Sequence, residues 1–266
     1  MAGRLILRRG HLKIRFLGTH NAESKDFKLV TFVIDGILAV DAGSLTSGLT
    51  FAEQKRIKAI LLSHGHYDHI RDLPAFAFSS SPRVVKVFST QVTLQIFVSH
   101  LADGIIYPEF ASENSFLSQS ILDLCPVEPF HSFEAEGFQI LPVPVQHPIS
   151  AVGFEISRDG KHIFYTGDTG PGLAAIWQHI SPQLLIIDMT FPNSLKDTAR
   201  ESGHLCPEIL KNELVEFQRI KGYLPRVSLI HLSPQYESEI AEDVKALAEK
   251  LPVSIAIAAE GAEIIL

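Results

Sequence analysis

Short apolar runs bounded by turn signals recur along the whole chain. Leu12–Leu17 alternates enough to predict a strand, and Leu29–Ile34 and Ile37–Val40 flank Asp35-Gly36, a two-residue hairpin signal. Phe51–Lys58 reads as a helix leading into the strand Ile57–Leu62 (IKAILL), whose run is apolar enough to be buried on both faces. Asp72-Leu73-Pro74 is expected to open a helix, with Asp72 as its cap and Pro74 in the first turn. Val84–Phe88 predicts a short strand. Gln91–Leu101 predicts a helix, from the spacing of Val92, Ile96, Phe97, Val98 and Leu101. Phe138–Val145 is expected at a sheet edge, because Pro142 and Pro144 cannot donate to a ladder. Val152–Ser157 and His162–Tyr165 pair across Arg158-Asp159-Gly160. Leu173–Ile180, Glu208–Phe217 and Ile240–Lys250 read as helices, and Leu184–Ile187, Val227–Ile230 and Val253–Ala258 as strands.

Strands with helices between them occur in both halves, and no low-complexity linker separates them. The pattern predicts one α/β domain over residues 1–266, with two similar β-rich halves and helices outside. Periodicity alone does not distinguish such a sandwich from a doubly wound sheet. A hydrophobic content of 46% is ample for a core. A net charge of −7 implies no general basic face for duplex nucleic acid. Cys125 and Cys206 form no CxxC pair, which points to a reducing compartment and away from a thiolate metal site. The opening MAGRLILRRGHLKIRF lacks the apolar core of a signal peptide, and no stretch approaches a membrane span. The expected location is the cytoplasm, without membrane association.

The chemistry gathers at strand ends. After Ile57–Leu62 comes Ser63–Ile70, SHGHYDHI, in which His64, His66, Asp68 and His69 form His-x-His-x-Asp-His. Imidazole and carboxylate together suit Zn²⁺ first, with Mn²⁺ or Fe²⁺ as other candidates. A turn leaving a strand end is where α/β sheets place reactive groups. His147, Asp168 and His231 also follow predicted strands. Seven ligands are too many for one ion of four or five coordination and fit two. A carboxylate bridges two cations and an imidazole does not, so Asp168, between Gly167 and Gly170, is the expected bridge. His64, His66 and His147 would hold one ion, and Asp68, His69 and His231 the other. Asp41, at the end of another strand, is expected to orient a ligand histidine through its free ring nitrogen.

This set resembles the metallo-β-lactamase superfamily of dinuclear hydrolases over nearly the whole chain. The likeness is carried by VDAG at Val40–Gly43, SHGHYDHI, His147, TGDTG at Thr166–Gly170 and His231. The resemblance implies the four-layer αβ/βα sandwich. HLADGIIYPEF at His100–Phe110, GDTGPG at Gly167–Gly172, FPN at Phe191–Asn193, SGHLCPE at Ser202–Glu208 and HLSP at His231–Pro234 are similar to segments of class II cyclic-nucleotide phosphodiesterases. That narrower resemblance implies hydrolysis of 3′,5′-cyclic AMP or cyclic GMP to the 5′-monophosphate, by a hydroxide shared between two ions.

His204 lies outside the seven ligands, between Gly203 and a predicted helix, and is the candidate acid for the leaving 3′ oxygen. Asp68 is assigned both as ligand and as catalytic carboxylate. His20, His100 and His131 are weaker candidates. The segment 91–120 is expected to form a lid or wall over the site, with Ser112–Ser120 a loop. There Tyr107 and Phe110 would pack against the nucleoside, with Ile105, Ile106 and Phe116 as further apolar groups. Two other readings stay open: a tRNA 3′-processing nuclease on the same fold, for which no Lys/Arg-rich docking arm is visible, and a non-catalytic sensor. A homo-oligomer is also compatible with the sequence.

Overall fold

The computed structural model describes residues 10–80, 83–110 and 121–266. Two seven-stranded sheets face each other. The first contains β1 (Lys13–Gly18), β2 (Thr31–Ile34), β3 (Leu38–Val40), β4 (Ala59–Leu61), β5 (Val85–Ser89) and β6 (Leu122–Pro126) in that order, with β14 (Glu263–Ile265) added outside β1. The second contains β7 (Phe133–Ala135), β8 (Phe138–Pro144), β9 (Val152–Arg158), β10 (Lys161–Tyr165), β11 (Leu184–Asp188), β12 (Arg226–Ile230) and β13 (Ile255–Ile257) in chain order. Each sheet begins with antiparallel pairings and ends with parallel ones. The change comes between β3 and β4 in the first sheet and between β10 and β11 in the second. The two halves are therefore alike, as expected.

Three apolar layers hold the sandwich together. Phe16, Phe32, Phe138, Phe154 and Tyr165 fill the space between the sheets. Phe76 and Phe97 lie between the first sheet and the helices Leu73–Ser80 and Gln91–His100. Trp177 and Phe217 do the same for the second sheet, under Ala174–Trp177 and Pro207–Lys221. Each such side chain contributes about 1.5–3 kcal/mol when fully buried. Helix, sheet, sheet, helix is the four-layer αβ/βα arrangement.

Some elements differ from expectation. Phe138–Val145 is not an edge, because β7 pairs alongside it. That pairing stops at Ile140, so Pro142 and Pro144 stand beyond the end of β7. The helix expected over Phe51–Lys58 is only Phe51–Gln54, stapled at its start by Thr50 and Glu53. Asp72 precedes the helix Leu73–Ser80, yet its carboxylate turns to Thr46 and Arg71. Strands β6, β7 and β14 and the helix Lys196–Ser202 were not foreseen. Ser112–Ser120 and Phe116 lie outside the described residues, as does the start of the chain before Gly10. Both cysteines are free. Among the described residues, no helix is long and apolar enough to cross a membrane.

Candidate metal centre

The C-terminal ends of parallel strands converge at one rim of the sandwich. β3 runs into Asp41, β4 into Ser63 and His64, β10 into Asp168, and β12 into His231, while β11 ends on Asp188. The hydrogen bond from Val152 N–H to the Ser63 carbonyl (3.0 Å) ties the two halves together beside them. Gly167 is needed for that approach. Its φ is +62°, and a Cβ there would lie 2.8 Å from Ser63 Cβ.

All seven expected ligands meet at this rim. His64, His66, His147 and Asp168 form one group, and Asp68, His69, Asp168 and His231 a second, with Asp168 common to both. His64 Nε2 and His147 Nε2 lie 3.0 and 3.1 Å from His66 Nδ1. His231 Nε2 lies 3.2 Å from both Asp68 Oδ2 and Asp168 Oδ2. His69 Nε2 is 3.2 Å from Asp168 Oδ1, and both atoms are buried without a hydrogen-bond partner. Orphaned buried polar atoms are costly, and an imidazole nitrogen and a carboxylate oxygen aimed at the same space can both offer lone pairs to a cation.

Protonation supports the same fit. Burial pushes His64 well down, and neighbouring His69 adds to this. Burial also lowers His66 and His147. Neutral imidazole is the form that binds metals. Burial opposes ionisation of Asp168 and Asp68, but His231 and His69 outweigh it and hold both carboxyls well down. His69 goes the other way: burial lowers it, while Asp168, Asp68 and Asp41 more than reverse this. A proton there offsets the three carboxylates, and a divalent ion would take its place.

The ring nitrogens facing away from the centre are held from behind. His69 Nδ1–H donates to Asp41 Oδ2 at 2.8 Å, a contact that would let Asp41 orient this ring. His147 Nδ1–H donates to the Gly203 carbonyl at 3.1 Å. His231 Nδ1 is 2.7 Å from Thr190 Oγ1. The loop after Asp168 is pinned where Gly172 and Leu173 N–H groups donate to buried Glu213. Asp41 and His231 both have positive φ, at 53° and 64°. Such a conformation costs about 1–2 kcal/mol in a non-glycine residue and is concentrated at functional sites.

His204 stands beside this cluster. Its Nδ1–H donates to Asp188 Oδ2 at 2.7 Å, and its ring stacks on His231 with centroids 5.2 Å apart. Burial pulls its pKa down, but Asp188 more than reverses this and lifts it to about 9. Asp168, Asp188, His204 and His231 also meet as a third group of ligand types. There Asp188 already accepts from His204, Thr190 and the Leu205 N–H, so its oxygens are satisfied within the protein.

The cleft in front is lined by Asn21, Glu23, Tyr67, Arg71 and His204, with Asp168 and His231 at its floor. Tyr107 and Phe110 are absent from that lining among the described residues. Phe110 is fully buried in the core of the first half, and Tyr107 packs against the same cluster. The expected nucleoside contact at Phe110 is corrected to core packing, while Tyr107 is half-buried at the edge of that layer. Their apolar character reflects the layer under the loop, while Ile105 and Ile106 are exposed. His131 is exposed beside Glu128, and His20 is buried beside Glu260, outside both ligand groups. Sequence reasoning gave no role to Ser63, Tyr165, Asp188, Thr190 or Glu213. Of these, only Asp188 carried a signal, as another acid at a strand end.

Comparison with known proteins agrees with this geometry. A 3′,5′-cyclic-nucleotide phosphodiesterase of Aliivibrio fischeri is 23% identical over 87% of this chain and 84% of its own length. A ribonuclease Z of Methanocaldococcus jannaschii is 22% identical over 86% of this chain and 88% of its own. The crystal structure of unliganded yeast PDE1 superposes with a TM-score of 0.82 at 16% identity, covering 96% of this chain and 99% of that one. At such identity the superposition speaks to the fold. The family model for the beta-lactamase superfamily domain matches residues 33–246 and spans every residue of the cluster, so the chain belongs to the metallo-β-lactamase superfamily of metal-dependent hydrolases.

Proposed function

We propose that this chain is a dinuclear metal-dependent phosphodiesterase that opens a 3′,5′-cyclic nucleotide, cyclic AMP or cyclic GMP, to the 5′-monophosphate. The observation that carries the reading is Asp168, common to two ligand groups, with the bonded His204–Asp188 pair facing the same cleft. His64, His66 and His147 would hold one divalent ion, and Asp68, His69 and His231 the other, with Asp168 available to both. Zinc suits the donors best, and Mn²⁺ or Fe²⁺ also fits. Bound there, the two ions supply Lewis acidity and a water ionised at neutral pH.

The chain's own groups do the rest. With Nδ1 engaged by Asp188, His204 offers Nε2 to the cleft and keeps its proton at neutral pH. It donates that proton to the 3′ oxygen as the bond to phosphorus breaks. Asp68 combines ligation with catalysis as the acidic residue of the local motif. Arg71 and Asn21 offer donors along the cleft for the phosphate or sugar. Similarity to the Aliivibrio enzyme over most of both chains supports the substrate class. The two free cysteines are consistent with a cytoplasmic setting.

The ribonuclease Z relative supports a second reading, cleavage of an RNA 3′ end. A net charge of −7 and a single Lys or Arg among the described cleft-lining residues favour the small substrate. The deciding experiment loads purified protein with Zn²⁺, Mn²⁺ or Fe²⁺ and offers cyclic mononucleotides, cyclic dinucleotides, bis(p-nitrophenyl) phosphate and a precursor tRNA. Chelator-sensitive turnover of a cyclic mononucleotide is expected. Cleavage of precursor tRNA with no turnover of any cyclic mononucleotide would sink the proposal.

A further inference from the structure

We propose that Tyr165 is a positioning residue: a buried phenol of the second half that fixes Asp41 and, through it, the ligand His69. The inference rests on the reading of His69 as a metal ligand and adds a residue from the opposite sheet. Asp41 accepts four hydrogen bonds. Ser63 N–H reaches Oδ1 at 2.7 Å. Oδ2 takes the Ser63 hydroxyl at 2.9 Å, His69 Nδ1–H at 2.8 Å and the Tyr165 hydroxyl at 2.5 Å. Three of these donors belong to the first half, and Tyr165, the last residue of β10, is the one from the second.

The phenol is fully buried, and its ring meets Phe32 edge-on at 5.2 Å. A phenylalanine ring would fill that layer equally well, so the hydroxyl serves the carboxylate and not the core. Asp41 needs such support because its φ of 53° lies outside the basins an aspartate prefers, and its side-chain direction depends on its bonds. The Ser63 hydroxyl also lies 3.0 Å from His64 Nδ1. The same carboxylate therefore stands directly behind His69 and, one bond further, behind His64. Tyr165 acts on His69 first.

Tyr165→Phe tests this with zinc alone as the probe. Parent and variant are loaded, dialysed and titrated against a chromogenic chelator, and the metal-free proteins are melted. The parent is expected to bind two ions. The variant is expected to keep one with parental affinity and to bind the other about 10–100-fold more weakly, with the metal-free melting temperature unchanged. Asp41→Asn should weaken the same ion, and the double variant should be no weaker than Asp41→Asn alone. Parental affinity for both ions in Tyr165→Phe overturns the proposal. So does equal weakening of both together with a lower metal-free melting temperature, which is the mark of a packing role. A parent chain that takes up no zinc overturns the ligand reading itself and the proposal with it. If Tyr165→Phe does not fold, Tyr165→Met removes the hydroxyl with a more adaptable side chain and is read by the same criteria.

Discussion

The two sides of the proposed centre are built in opposite ways. His64, His66, Asp68 and His69 come from one turn and the four-residue helix Tyr67–Ile70, where the His69 N–H returns to the His66 carbonyl at 3.0 Å. His147, Asp168 and His231 come from three separate loops of the second half. Each is held by a group from elsewhere in the chain: His147 by Gly203, His231 by Thr190, and the Asp168 loop by Glu213 of the helix Pro207–Lys221. One side takes most of its geometry from local backbone, with Asp41 holding the His69 ring from outside the turn. The other takes it from tertiary hydrogen bonds, and is the more sensitive to residues that never touch a substrate.

The largest test removes the residue where the sides meet. Asp168→Ala should lose the bridge and most of one ion, and hydrolysis of bis(p-nitrophenyl) phosphate should fall by more than ~10³-fold. Metal analysis with two ions retained would show that the sides do not depend on a shared carboxylate. His204→Ala comes next. On a cyclic nucleotide, kcat should drop by ~10²–10⁴ with metal content unchanged. The loss should shrink on bis(p-nitrophenyl) phosphate, whose leaving group departs without a proton. Equal losses on both substrates would assign His204 to binding or structure.

The third test is a pH profile. His204 is protonated below its raised value of about 9, and the acid is lost as pH climbs through it. Asp188→Asn should move this alkaline limb down towards the ordinary histidine value near 6.5, lowering the protonated fraction at pH 8 by roughly 30-fold. Bound cations lower both limbs without reversing their order. An unchanged limb would detach Asp188 from the acid. The smallest effect is on stability. Gly203 has φ +74°, and a Cβ would lie 2.6 Å from Pro148 Cδ, so Gly203→Ala should cost about 1–3 kcal/mol in denaturant unfolding. Its consequence for zinc should fall on the ion held by His147, while Asp68 and His69 keep theirs.

The same contrast explains what the sequence disclosed. The clustered His and Asp residues were legible because they follow strands, and an Asp or His after an apolar run stands out. The alternation of antiparallel and parallel pairing was visible only as two similar halves, since strand partners are not written in local pattern. Thr190, Glu213 and Tyr165 were invisible as functional groups, because a lone polar group near an apolar run does not name its partner. Phe110 misled for a related reason: an aromatic in an irregular segment looks the same whether it faces a ligand or the layer beneath. Phe138–Val145 misled because two prolines suggest an edge, while β7 stops short of them.

The placement of β14 bears on the order in which the molecule can be made. Lys13 pairs with Ile265, and Leu12 exchanges both backbone hydrogen bonds with Leu266. On the ribosome, β1 to β6 emerge long before residues 263–266, and synthesis at about 5–20 residues per second leaves an interval of many seconds. Through that interval β14 is not yet available to the outer backbone groups of β1. An unpaired edge of this kind invites pairing with a neighbouring nascent chain. Residues 263–266 thus reach the first sheet only after every other strand of both sheets has been synthesised.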